Sequence, residues 1–506
     1  MTALLGRPAP ASRRTGRAPA RGRLTGLTAL EVVLALGLLA LLVGQLLGYP
    51  ATDDPDPDGF VTYARHILGT GTLLPESRRL PGYAAFSALA WAALDRPPQQ
   101  SVYWAQLALT TAFLGGLWLW LRPRIGRLPA LLFLGIVAAP SYFARLAVVM
   151  LPDAVFSMLW LPVTLASCWW ALADRPRGGW LWLLPIAAGQ LFLQALRPNA
   201  APMAVLLAGS LVVVYVAERL ARRRVSDRFN GSVGRKPSVP PLRPFVARAG
   251  ALVGVAVLAF VAADRLLDTG ARAYNLGVVG YRVVVYLPPA SDSPAERRLE
   301  EAKARFREIE GGEIEDARFL SYRRFQFSSE MDRADVEQVW LPRLLARPDL
   351  YVASVGRDLL LNHYLLARRV LPFFVDLPRI PLFVQQYPPN DSSPQSRLFR
   401  ATGLLVLDAP PLPEHYPFAV EAGRAVGTLV AVWGLLLLGA WRLAQRHRPL
   451  VVTFGVLLAL SVLMSAATNT ADPRYLLPFA LPVYAAQAVG LAELLRLLGR
   501  RSVDKE

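Results

Sequence analysis

Runs of about twenty consecutive apolar residues recur along almost the whole of this chain, and they leave few folds open. Wound as a helix rising about 1.5 Å per residue, such a run crosses a hydrocarbon layer about 30 Å thick. A bilayer core offers no water to backbone N–H and C=O groups, so a spanning segment closes its hydrogen bonds internally, as a helix or in a closed barrel. The strand-length alternation of a barrel is absent from these runs. With 54% hydrophobic residues among 506, the chain also carries more apolar residues than a soluble core of its size needs. The expected fold is an all-α polytopic membrane protein. About ten transmembrane helices account for the hydropathy, near 27–48, 100–121, 128–144, 151–172, 179–196, 199–218, 249–267, 424–442, 449–468 and 476–496.

Charge tests this alternation. The net charge of +18 invites a nucleic-acid reading, but the arginines gather in alternate loops, as membrane topology demands. With the N-terminus inside, the inner loops carry Arg122, Arg124 and Arg127; Arg175 and Arg177; the stretch from Arg219 to Arg248; Arg442, Arg446 and Arg448; and Arg500 and Arg501. The lone cysteine, Cys168, lies in an apolar run and reads as a small buried hydrophobe. It excludes a disulfide framework and a cysteine zinc site.

Four segments follow. Residues 1–25 form a basic tail rich in Pro, Ala and Arg, with a disordered composition. Residues 26–268 form a transmembrane module holding a large first outer loop, 50–99, and a basic cytoplasmic loop, 219–248. Residues 269–422 form an extracytoplasmic segment, and 423–506 the last spans with a short cytoplasmic tail. Inside the first outer loop, Pro81 to Leu94 is apolar and too short to span, so it lies at the interface or re-enters. From Gly59 onward, Phe60 and Ala64 follow Asp56 at intervals of four, the spacing of one helix face. In the extracytoplasmic segment, Ser293-Pro294-Ala295-Glu296 opens a charged helix to Glu310, and Pro348 to Leu366 is amphipathic. Trp169, Trp170, Trp180 and Trp182 fall at the inner boundary and read as an aromatic belt.

The chemistry-bearing residues collect on the outer face. Asp53, Asp54, Asp56 and Asp58 follow the first span. Arg78, Arg79, Arg145, Asp153, Arg197, Asp472 and Arg474 sit at the outer ends of others. Charges at the hydrocarbon boundary are costly unless they face a cavity or a partner. Carboxylates act as general bases or hold a divalent cation, and arginines clamp phosphate through paired hydrogen bonds. The bland reading of the acidic cluster is a set of solvated turn and capping residues. Arg145, Arg197, Arg474 and Tyr475 have one too, as interfacial anchors or helix ends. No His-x-x-x-His spacing is present, so no histidine metal site is assembled.

Read in order, these residues resemble the GT-C superfamily of membrane glycosyltransferases, in particular the protein O-mannosyltransferase and aminoarabinose transferase-like group. The resemblance lies in Asp56, Phe60 and Ala64; Arg79-Leu80-Pro81-Gly82-Tyr83; Met150-Leu151-Pro152-Asp153; Leu196-Arg197-Pro198-Asn199; and Asp472-Pro473-Arg474-Tyr475. The chain departs from the family at Phe60, more often tyrosine there, and at Pro57, where an acidic pair is common, so Asp54 or Asp58 is an alternative to Asp56.

The resemblance implies an inverting transferase that moves a sugar from a polyprenyl-phosphate donor to a lipid, glycan or protein acceptor. It implies the plasma (inner) membrane, with the active site facing the extracytoplasmic side. Asp56, Asp58 and Asp153 would be the catalytic acids. Arg79, Arg197 and Arg474 would hold the donor phosphate, and Tyr83, Arg145 and Tyr475 would line the cavity. No metal ligand and no certain cofactor is assigned, although the outer acidic cluster has the chemistry for a divalent cation. The partners would be the lipid-linked sugar, the acceptor and the bilayer, with no nucleic acid. The competing reading is a polytopic transporter or flippase of a lipid-linked or small anionic substrate.

Overall fold

The computed structural model describes residues 28–47, 57–73, 80–138, 143, 147, 150–173, 179–197, 200–228, 240–267, 280–310, 332–356, 359, 418–468 and 477–503. Every regular element among them is helical, and the chain is an all-α polytopic membrane protein. In order these are α1 (Ala29–Leu46), α2 (Pro57–Thr70), α3 (Pro81–Leu94), α4 (Pro98–Ile125), α5 (Arg127–Ala138), α6 (Pro152–Leu172), α7 (Leu183–Leu196, entered through a 3₁₀ turn at Gly179–Trp182), α8 (Ala200–Arg228), α9 (Leu242–Leu267), α10 (Pro294–Glu310), α11 (Arg333–Ala346), α12 (Phe418–Thr468) and α13 (Ala480–Val503). Seven are long and apolar enough to cross a membrane, within α4, α6, α7 with its 3₁₀ turn, α8, α9, α12 and α13. Two shorter apolar stretches, Ala29–Gly44 and Arg127–Ala138, accompany them.

The bundle is organised around α6. It packs against α4, α7, α8, α9 and α12, so nearly every side chain from Pro152 to Leu172 is buried. A helix apolar all round suits a central position. On one flank α13 lies between α5 and α12. The α12–α13 contact is close: a methyl group on Gly439 would fall inside the Ala486 carbonyl, and one on Gly490 inside that of Leu435. Small residues that let backbones touch are the usual means of helix association in lipid. Beyond these glycines Arg442 pairs with Glu493.

The two ends of the bundle are held by separate contacts. At one end Thr28 and Glu31 form a reciprocal cap: Glu31 N–H donates to Thr28 Oγ1 at 3.2 Å, and Thr28 N–H to Glu31 Oε2 at 3.0 Å. The same carboxylate takes Arg122 Nη2 at 2.8 Å and lies 3.5 Å from Arg127 Nε, tying α1 to α4 and α5. Arg248 donates to the Trp170 and Ala173 carbonyls at the C-terminus of α6. At the other end the Tyr103 hydroxyl donates to the Leu46 carbonyl at 2.6 Å, capping α1. These contacts join only residues that the charge alternation assigns to the same side.

Three expectations change. The basic loop 219–248 is partly helical, because α8 runs on to Arg228, with no Gly or Pro among 210–229 to stop it. The loop expected between 442 and 449 is absent: α12 passes through a single non-helical residue, His447 (φ −132°, ψ 36°), two positions before Pro449. Trp169 and Trp170 are not a belt. Both are buried, packed edge-on against Trp182 and Trp180, and only Trp180 among the four is well exposed. They lie on the central helix, covered by its neighbours.

The segment 269–422 contributes a small helical module from 280–286, α10, α11 and 348–356. The expected start of α10 is present: Ser293 Oγ accepts from Glu296 N–H at 3.2 Å. Val284, Ala295, Leu299, Val336 and Val339 form its small apolar core. Arg298 bridges to Asp335, Nε to Oδ2 at 2.8 Å, and this hydrogen bond holds the Asp335 carboxyl below its usual range. A depressed carboxyl stabilises the fold above its unfolded value of about 4, and that contribution fades as pH falls through the lower folded value. Because Arg298 is exposed, solvent screening keeps it small. Asp335→Asn should therefore lower the protection of α11 amides against hydrogen exchange modestly at pH 7, and the difference from wild type should shrink as pH is lowered to 3. An unchanged difference at both pH values would mean the bridge does not act.

Candidate functional site

Three helices open on prolines where their first N–H groups need no intrahelical partner: α2 at Pro57, α3 at Pro81 and α6 at Pro152. Contacts bring their N-terminal ends together. Phe60, in the first turn of α2, meets the Tyr83 ring edge-on at a centroid distance of 4.8 Å. Tyr83, in the first turn of α3, is fully buried and donates from its hydroxyl to Gln106 Oε1 of α4 at 2.8 Å. Burial first, and the nearby charge of Asp153 second, push the Tyr83 phenol well above its usual value. The first turns of α2 and α3 are thus in contact, and Asp153 in the first turn of α6 lies near enough for its charge to act on Tyr83.

Gly82 explains how α3 comes so near α7. A Cβ at this position would lie 2.8 Å from both the carbonyl carbon and oxygen of Ala195. Backbone cannot swing aside as a side chain can. Gly82→Ala should therefore push α3 off α7, cost about 1–3 kcal/mol and displace Tyr83. Thermal unfolding of the purified variant checks this, and a wild-type Tm would show that the backbones relax at no cost.

Asp153 occupies the first turn of α6 and is 1% exposed. It forms an ion pair with Arg197 at 2.7 Å, Nη2 to Oδ1, and the arginine side chain is the more accessible partner at 11%. Arg197 ends α7 in extended backbone (φ −148°, ψ 138°), so its side chain leaves the helix axis and reaches across to α6. The carboxylate fixes the guanidinium at the helix N-termini. With that partner Asp153 is better suited to orient Arg197 than to remove a proton.

The structure therefore brings Asp153, Arg197 and Tyr83 into one neighbourhood, with Phe60 at its edge. Asp58 belongs to the first turn of α2, two residues before Phe60. Asp56, Arg79, Arg145, Arg474 and Tyr475 lie outside the described residues, as do Asp53, Asp54, Arg78 and Asp472. Among the described residues no three His, Cys, Asp or Glu side chains group as metal ligands. Two residues missed from the sequence join the site's approach. Gln190 and Gln194 are buried on α7, four residues apart and so on one face, in the two turns before Arg197. The Gln190 Oε1 and Gln194 Nε2 atoms have no hydrogen-bond partner among the described residues. Buried amides in an apolar spanning helix were the available signal, since such groups are expensive there unless they serve a partner.

The chain matches no protein-family model and no curated protein, so the meaning of this site rests on its geometry.

Proposed function

We propose that this chain is an inverting glycosyltransferase, which transfers a sugar from a polyprenyl-phosphate carrier to an acceptor at the outer face of the plasma membrane. The observation that carries the reading is the buried Asp153–Arg197 pair at the N-terminus of α6, near enough to Tyr83 in the first turn of α3 for the Asp153 charge to act on it. Helix N-termini and an oriented guanidinium favour an anion, and a carrier phosphate leaving an anomeric carbon gains negative charge in the transition state. Arg197 would stabilise that phosphate, joined by Arg79 and Arg474. Asp58 or Asp56 would take the acceptor's proton as its oxygen attacks in line. The unpartnered amides of Gln190 and Gln194 suit a polar group entering from the bundle side.

The wider arrangement is a GT-C-like bundle of about ten spans with both termini inside. The two shorter apolar helices and the break at His447 support that count, and the same-side contacts support the orientation. A transporter would place its charges at mid-depth on broken helices, whereas Asp153 and Arg197 stand at helix ends.

The test has two stages. Mass spectrometry of envelope glycans and lipids from cells lacking this chain names the missing sugar. Turnover of that sugar's polyprenyl-phosphate donor by the purified protein is then compared with Arg197→Lys and with the Asp56→Asn/Asp58→Asn double variant. The double variant should lose about 10²–10⁴ in rate, as for removal of a general base. Lysine should substitute poorly for an arginine that offers paired donors. Normal turnover by both variants would overturn the assignment.

A further inference from the structure

We propose that the groove between α8 and α9 is a binding site for an anionic glycerophospholipid of the inner leaflet, away from the site described above. The two helices run antiparallel, with Tyr215 stacked flat on Phe245 at a centroid distance of 3.9 Å. Alongside this stack lies an open cavity of about 640 Å³ lined almost wholly by aliphatic side chains, Val205, Val212 and Val216 from α8 and Val246, Ala249 and Val253 from α9. Gly209 and Gly250 face it, and a methyl group at either would meet nothing within 4 Å, so the trough stays open along its length. Its width and apolar lining suit acyl chains.

Two polar features give the occupant a headgroup. Tyr215 lines the groove, the residue is 2% exposed, and its buried hydroxyl has no hydrogen-bond partner among the described residues. A buried phenol left unpaired is costly, and a ligand oxygen such as an ester carbonyl or a phosphate relieves it. One turn on, Arg219 lies over the Tyr215 ring at 5.3 Å and makes no ion pair among the described residues. Leu242, the first residue of α9, closes the same end, so the positive end of that helix dipole adds to the arginine. Cation, hydroxyl donor and apolar trough follow one another in the order of a phosphate, a glycerol ester and acyl chains.

Placement separates this lipid from the transferase donor. Arg219 stands nineteen residues along α8 from Ala200, just beyond Arg197, a rise of about 30 Å. A phosphate at Arg219 would lie one hydrocarbon thickness from Arg197, on the side where the basic loops gather. A donor with its phosphate at the outer face does not fill the Arg219 end.

The test reads lipid retention and needs no transfer activity. Full-length protein, delipidated in detergent, is titrated with phosphatidylglycerol, phosphatidylcholine or polyprenyl phosphate, and bound lipid is counted by native mass spectrometry. We expect phosphatidylglycerol to be retained in preference to the other two. Arg219→Ala should cut the preference over phosphatidylcholine roughly tenfold. Tyr215→Phe should weaken retention about fivefold while leaving the ring stack in place. Gly209→Leu, which fills the trough, should abolish retention with helical content unchanged. Equal retention by wild type and all three variants would overturn the site. So would equal binding of phosphatidylcholine, or a polyprenyl phosphate that outcompetes phosphatidylglycerol with the same dependence on Arg219.

Discussion

Asp153→Ala should destabilise its end of the bundle by about 3–5 kcal/mol and, on the proposed function, abolish transfer, because it leaves Arg197 charged, largely buried and without its carboxylate. The cost comes from the orphaned charge and not from the worth of the pair, so removing both charges is far milder. Asp153→Leu/Arg197→Met should unfold within a few degrees of wild type and still transfer nothing. Arg197→Lys keeps the charge, should hold most of the stability and should lose turnover, since a single ammonium cannot reproduce two parallel donors. Thermal unfolding and turnover on the same preparations separate these effects. A wild-type Tm for Asp153→Ala would show that the pair does not support the fold. Normal turnover by the double variant would remove Arg197 from the reaction.

The outline of this site was legible because its residues sit at helix starts with plain local signals. Pro81 to Leu94 forms one helix with the bounds read from the sequence, since Pro81 provides a ready N1 residue and Asp95, in left-handed backbone (φ 46°), ends it. The helix through Phe60 and Ala64 was visible in its four-residue spacing. What could not be read was which polar groups meet. Tyr83 finds Gln106 twenty-three residues away, and Asp153 finds Arg197 on the next helix, through packing that no local pattern encodes. Gly82 looked like part of a motif, but its reason is the Ala195 backbone against it. The Trp169–Trp170 pair misled for a related cause. Position along a span places a tryptophan near an interface, but only packing tells whether that side faces lipid or the neighbouring helices. Likewise hydropathy marked a gap at 442–449, whereas the backbone needs only one residue at His447 to turn.

Arg343→Met should unravel the small helical module of α10 and α11 while leaving the membrane bundle intact. The guanidinium is fully buried and every one of its donors is used. Nε donates to Glu296 at 2.7 Å, and Nη2 donates to Glu296 and, at 2.9 Å, to Glu300. Nη1 donates to the carbonyls of Val284 at 3.0 Å and Leu287 at 2.8 Å. One side chain therefore joins the C-terminal end of helix 280–286 to α10 and α11. Methionine fills much of the volume but leaves the buried Glu296 carboxylate without its cation and the Leu287 carbonyl without its donor, whereas the Val284 carbonyl keeps Lys303 Nζ at 3.2 Å, a loss of about 3–5 kcal/mol. Lysine offers one point in place of a planar fork and should recover only part of it. The apolar core of the module is small, with little to offset such a loss. Hydrogen exchange on the full-length protein reads this directly: α10 and α11 amides should exchange two to three orders of magnitude faster, with those of α6 unchanged. Because the charges act together, Glu296→Gln/Glu300→Gln/Arg343→Met should be less damaging than Arg343→Met alone. If the single variant keeps wild-type protection in α10 and α11, the apolar contacts hold the module without its buried arginine.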